Sequence, residues 1–157
     1  MGYGAPMKIY VDADGCPRAV RDIVTRAGER RQVTTTLVAN RHIHLSRSRF
    51  LSAVQVSAGM DIADNWIAAR VETGDLVITA DVPLAAEVVE AGAIALDPRG
   101  HLYDAETVHE RLSVRDFMTE MRAAGLTGGG PPPFGEVEKR KFAAAFDRIL
   151  TRGLREK

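Results

Sequence analysis

The sequence predicts an α/β fold: a mostly parallel sheet of about five strands flanked by helices. Three observations predict it. Short apolar runs of strand type alternate with amphipathic helical stretches along the chain. Turn-forming residues punctuate those runs, such as Asp12-Ala13-Asp14-Gly15 after the first and Asp97-Pro98-Arg99-Gly100 after the fifth. The length, 157 residues, suits one domain with one sizeable core, here placed over residues 7–150.

Lys8-Ile9-Tyr10-Val11 is the first strand. Pro17 suits the first turn of a helix, and Val20, Ile23, Val24 and Ala27 follow the helical i, i+3, i+4, i+7 spacing. Thr34 to Ala39 is the second strand, ending at Asn40, and Phe50 and Leu51 are assigned to a short helix. Val54-Gln55-Val56 is a weak third strand, and Asp61 to Val71 a helix stopped by Gly74. Leu76 to Thr79 is the fourth strand. The next helix opens at Pro83, carries Leu84, Val88 and Ala91 along one stripe, and closes at Gly92. Ala93 to Leu96 is the fifth strand, and two helices over 104–112 and 113–124 follow it. Residues 128–133, three glycines and three prolines, form an irregular linker, because glycine costs entropy and proline lacks a donor. The last helix, over 135–151, carries Phe142, Phe146, Ile149 and Leu150 on one side and packs back to cover them. Residues 1–6 read as an irregular lead-in.

Composition excludes several classes. Hydrophobic residues make up 45% and charged residues 27%, the balance of an ordinary globular protein. One cysteine excludes an internal disulfide framework and a multi-cysteine zinc site. No apolar run approaches the roughly 20 residues of a spanning helix, and no signal-peptide pattern opens the chain, so a cytoplasmic location is expected. There are 21 basic and 21 acidic residues, a net charge of zero, which excludes coating of a polyanion by bulk charge. The zero conceals a segregation. Residues 18–50 hold eight arginines against Asp22 and Glu29, while 51–110 hold eleven acids against Arg70 and Arg99. Charge counts alone favour the plainer reading, in which these charges sit on solvated helix faces.

In open α/β sheets, ligands bind beyond the carboxyl ends of the strands. Those ends carry Asp12 and Asp14, then Asn40, then Asp81, then Asp97. The helix after the third strand adds Asp61, Asp64 and Asn65, at i, i+3 and i+4 on one face. Carboxylates gathered on one rim repel each other unless a cation neutralises them, and all-oxygen sets suit Mg²⁺ or Mn²⁺. Each acid also has a plain structural reading. Asp61 stands where a helix cap stands, with Asp64 in the first turn, and Asp81 stands where the next helix would be capped. Asp97 reads as a turn residue. Asp12 directly follows an apolar strand, where a carboxylate needs a partner. Cys16 is a small packing residue. Arg41 to Arg49 form a basic loop with His42 and His44, which is either solvated or in contact with a phosphate backbone. The histidines lack zinc-ligand spacing.

Four stretches together resemble the YaiI/YqxD family of uncharacterised bacterial proteins. They are Val11-Asp12-Ala13-Asp14-Gly15-Cys16-Pro17, Leu37-Val38-Ala39-Asn40, Ala63-Asp64-Asn65-Trp66-Ile67, and the run Val77 to Ala85. Pro98-Arg99-Gly100 and the Gly/Pro stretch fit as well, and the resemblance spans about Met7 to Leu150. Gly15 departs from the alanine commoner there. The resemblance implies a PIN-like domain and a metal-dependent nuclease, with Asp12, Asp64 and Asp81 as its acids.

Three functions follow as expectations. The first is a Mg²⁺- or Mn²⁺-dependent phosphodiesterase on RNA or single-stranded nucleic acid. Asp12, Asp64 and Asp81 hold the metal, with Asp14 as a further ligand. Asp61 and Asn65 flank them, Asn40 orients substrate or water, and Arg41, Arg47 and Arg49 hold the backbone. The second is a haloacid-dehalogenase-type phosphatase, which Asp12-Ala13-Asp14 and Thr79 resemble. Against it, Gly15-Cys16 replaces the usual threonine, Asp97 lacks paired acids, and no lysine lies between Lys8 and Lys139. The third is a non-catalytic nucleic-acid-binding or regulatory module on the same fold.

Overall fold

A computed structural model of the chain describes residues 6–59, 61–123 and 133–155, with the backbone alone for 115–123. The strands are β1 (Ile9–Asp12), β2 (Thr35–Ala39), β3 (Leu51–Gln55), β4 (Leu76–Ile78), β5 (Ile94–Leu96) and β6 (Leu102–Tyr103). The helices are α1 (Arg18–Arg30), α2 (Ile62–Ala68), α3 (Val82–Glu90), α4 (Ala105–Ala123) and α5 (Glu136–Arg155), and a short 3-10 turn covers Ala13–Gly15. One sheet runs β3-β2-β1-β4-β5-β6. β1 to β5 are parallel, and β6 pairs antiparallel with β5.

Side-chain alternation divides the core into two layers. Ile9, Val11, Leu37, Leu76, Ile78 and Leu96 face α1 and α5. Tyr10, Val38, Val77 and Ala95 face the other way, onto Ile67 of α2, Leu84, Ala85 and Val88 of α3, and Val108 of α4. Parallel strands covered on both faces read as near-continuous apolar runs, which is why β1 and β4 stand out in the sequence. α5 contributes Phe142, Ala145, Phe146 and Leu150 to the first layer, with the two phenyl rings stacked at 5.4 Å between centroids.

Several expected elements are corrected. Leu51 opens β3 instead of ending a helix, because it pairs with Thr35 in a register that continues to Ala39 and Gln55. The mostly parallel sheet is as expected, with β6 added at its edge as a sixth strand. β6 is only two residues long and Leu102 is exposed, so no periodicity announces it. The helices expected over 104–112 and 113–124 are one continuous helix, since nothing at residues 112–114 breaks the backbone ladder. α2 stops at Ala68, short of Val71, and α5 runs on to Arg155. Of the linker expected over 128–133, residues 128–132 lie outside the described residues, as do residues 1–5 of the lead-in. Among the described residues no helix is long and apolar enough to cross a membrane.

Order reverses at β1. β2 and β3 lie to one side, and β4, β5 and β6 to the other. The carboxyl ends of β1 and β4 therefore flank a topological switch point, where open α/β sheets leave a crevice. The β5–β6 hairpin is locked by Gly100, whose φ is +92°. A Cβ there would lie 2.7 Å from the Lys141 carbonyl carbon and oxygen and 2.9 Å from the Phe142 nitrogen. Gly100 is thus the seat on which α5 rests. Gly100→Ala is expected to destabilise the fold by about 2–4 kcal/mol, from positive φ and overpacking together. Urea unfolding measures it, and an unchanged midpoint would show that α5 does not rest on the hairpin.

Candidate functional site

Asp12 ends β1, whose three preceding residues are buried, so its carboxylate is carried to the rim of the sheet partly shielded from water. A buried carboxylate needs a donor. Thr79, fully buried just past β4, supplies it: its hydroxyl donates to Asp12 Oδ2 at 2.9 Å. The Thr79 hydroxyl oxygen in turn accepts the Asp81 backbone N–H at 2.9 Å. Asp81 in turn caps α3, its Oδ1 accepting from the Leu84 N–H at 2.9 Å, with Pro83 in the first turn. The structural reading of Asp81 as a cap is therefore correct, and the cap also carries the carboxylate to the rim.

Asp14 follows in the 3-10 turn. Its Oδ2 accepts the Asn40 backbone N–H at 2.7 Å, tying the ends of β1 and β2 together. Its Oδ1 lies 3.4 Å from Nε of Arg41. Asp61 precedes α2 in a left-handed conformation, φ +65°, and its side chain makes no cap hydrogen bond. That corrects the helix-cap reading. A non-glycine residue held in this region stores strain of order 1–3 kcal/mol, a feature that clusters at ligand sites. Asp64 lies one turn further into α2.

These side chains meet. Asp12, Asp14, Asn40, Asp61, Asp64 and Asp81 line one cleft of about 280 Å³, together with Val56, Ser57 and Gly59 after β3. Five carboxylates thus share one hollow at the switch point. Electrostatics records the crowding. Burial pushes the Asp64 carboxyl up to about 7, and the Asp81 charge, a hydrogen bond with Asp81, and the Asp12 and Asp61 charges push the same way. Asp12 is raised too, chiefly by burial and then by Asp81 and Asp14, while the Thr79 hydrogen bond draws it back down. Asp64 is therefore the acid of this hollow that keeps its proton toward neutrality.

Other expected residues fall elsewhere. Asn65 does not line the cleft, because it sits about 100° round the helix from Asp64, and α2 presents only one side to the hollow. Arg47 and Arg49 line no described cleft, and Arg49 stacks over the Phe50 ring at 5.1 Å. Asp97 forms the expected turn, accepting the Arg99 N–H at 2.6 Å, and is also paired with Arg111 at 3.2 Å. Cys16 is buried in the core, and burial pushes its thiol up to about 12, so it is no nucleophile at neutral pH. Sequence reasoning missed the Thr79 clamp and the Asp14–Arg41 pair.

The donor set is all oxygen, the chemistry that Mg²⁺ and Mn²⁺ take, and among the described residues Arg41 is the basic side chain paired with it. Among the described residues no three acidic, histidine or cysteine side chains stand close enough together, as oriented, to hold an ion. The fit to a divalent cation thus rests on donor chemistry and charge.

The fold and the cleft define an α/β protein with an acidic hollow at its switch point. The chain matches the family described as uncharacterized BCR, YaiI/YqxD, over residues 10–152. A UPF0178 protein of Citrifermentans bemidjiense is 53% identical over 150 residues, covering 96% of this chain and 97% of the relative. UPF0178 proteins of Shewanella amazonensis and Vibrio cholerae are 51% and 53% identical over 146 residues, each covering 93% of this chain and 98% of the relative. The chain belongs to the YaiI/YqxD family. No solved structure matches it.

A carboxyl raised above its unfolded value takes up a proton on folding, so stability falls as pH rises from about 4 to about 7 and levels off above. Asp64→Asn is expected to flatten that slope. Near pH 8 it should be more stable than the parent by about 1 kcal/mol, the full shift being discounted for solvent screening. Thermal melts across that range measure it, and parallel curves for parent and variant would show that Asp64 carries no such strain.

Proposed function

We propose that the acidic cleft is the active site of a Mg²⁺- or Mn²⁺-dependent phosphodiesterase acting on RNA or single-stranded nucleic acid. One observation carries the reading: five carboxylates line one hollow beyond the strand ends, with Asp64 pushed up to about 7 by burial and then by its acidic neighbours. Crowding these charges costs stability, and a bound cation would offset that cost. The resemblance to PIN-like nucleases supports the same reading, as a fold-level analogy.

In this reading Asp12, Asp64 and Asp81 hold the cation, with Asp14 and Asp61 beside them. When bound, the cation supplies a more acidic water and neutralises charge on the phosphate oxygens. The chain's own residues set the stage. Thr79 holds Asp12 in one orientation, and the α3 cap holds Asp81. Asn40, tied to Asp14 through its backbone, orients substrate or water from the β2 side. Water attacks phosphorus, the bond to the leaving oxygen breaks, and that oxygen takes a proton.

Labelled single-stranded RNA incubated with the parent and Mn²⁺ should be shortened, and Asp12→Asn should be slower by about 100-fold or more, as for loss of a metal ligand. Asp12→Asn should also bind Mn²⁺ more weakly in a calorimetric titration. Equal cleavage by parent and variant would mean a contaminant and sink the reading. Release of phosphate from monoesters alone would favour the phosphatase. Binding of RNA without cleavage on several substrates would favour the non-catalytic module.

A further inference from the structure

A second cleft, of about 310 Å³, opens beside the first, between α1 and the β2–β3 connection. Arg18, Arg21 and Thr25 line it from α1, and Arg41, His44 and Ser46 from the connection. Asp22 is the one acid in its wall. The hollow is therefore basic, in contrast to its neighbour. The two meet at the Asp14–Arg41 pair, since Asp14 lines the acidic cleft and Arg41 the basic one.

Arg21 sets the basic cleft apart from a solvated charged face. It is partly buried, and its Nε is shut off from solvent with no hydrogen-bond partner. Among the described residues no carboxylate stands within ion-pair distance of it. Buried polar groups are ordinarily satisfied, and a guanidinium that lines a cavity without a carboxylate of its own chain leaves its charge to be met by an anion in that cavity. A guanidinium fork suits the oxygens of a phosphate, and Thr25 and Ser46 add hydroxyls to the same wall.

We propose that this basic cleft holds a phosphate group of a single-stranded nucleic acid and seats the strand so that a neighbouring phosphodiester lies over the carboxylates. The proposal rests on reading the acidic cleft as a phosphodiesterase site. Arg18 and Arg21 are the grip, and Arg41 stands between the two clefts.

The test is binding of fluorescein-labelled single-stranded RNA to the full chain in EDTA, read by anisotropy at several salt concentrations. Arg18→Ala and Arg21→Gln should each weaken binding about 10-fold and each reduce the salt slope by about 0.7. Ser46→Glu, which places a carboxylate in the wall at an exposed side chain, should weaken binding as much. It carries the test even if Arg21→Gln fails to fold, which a thermal melt reveals. Arg148→Ala, exposed on α5, should bind within about twofold of the parent. If Arg148→Ala weakens binding as much as Arg18→Ala, bulk charge explains the affinity and the cleft is overturned. It is equally overturned if Arg18→Ala and Ser46→Glu bind like the parent. Inorganic phosphate and a mononucleotide serve as competitors. If either displaces the strand at concentrations near the strand's own Kd, the cleft belongs to a free phosphate and the proposal falls. Because metal is absent, failure here is distinct from failure of the cleavage assay. Intact, variant-sensitive binding without cleavage retires the phosphodiesterase and leaves the grip.

Discussion

Thr79 has one hydroxyl proton, and the cleft depends on where it goes. Donated to Asp12, it satisfies a carboxylate that would otherwise be buried beside β4 without a partner. The oxygen left behind receives the Asp81 N–H, which sets the turn from β4 into α3. One side chain therefore joins the ends of the two strands that flank the switch point. With β1 and β4 held in step, Asp12 and Asp81 face the same hollow. The rest of the cleft is added around that pair: Asp14 through the Asn40 amide, and Asp61 and Asp64 through α2.

What the clamp assembles is electrostatically unfavourable. Burial and neighbouring charge raise both Asp12 and Asp64, so part of the folding free energy is spent holding acids together. A left-handed Asp61 adds backbone strain at the same place. The core absorbs this because it is complete on both faces of the sheet, with α5 closing the layer over β1. Rigidity in one part of the molecule sustains strain in another.

Much of the site was legible in the sequence, for a physical reason. In a parallel sheet every strand ends on the same side, so a polar residue just after an apolar run lands on the rim without any knowledge of topology. Asp12, Asp14, Asn40 and Asp81 were found that way, and Asp64 by its place in the following helix. Long-range pairing was not legible. Thr79 and Asp12 are 67 positions apart, and nothing near either residue marks the bond. Helical spacing groups Asn65 with Asp61 and Asp64, but spacing does not say which side of a short helix meets the cleft. Arg21 is invisible for the same reason, as one arginine among eight until the fold withholds a carboxylate from it. β6 escaped because two residues carry no period.

The connection from β2 to β3 joins parallel strands with no helix between them. Ile43, buried, and Leu45, partly so, anchor it to the core in a helix's place, and its exposed side chains form one wall of the basic cleft. Insertions and substitutions at its outer turn leave the β1–β4 pair and its carboxylates untouched, because surface loops accept changes of length cheaply. The wall is thus free to drift over generations while the rim stays constrained. Natural variation in what the molecule holds should accumulate in residues 42–49, beyond the Arg41–Asp14 pair, and variation in what it does to that partner should be rare.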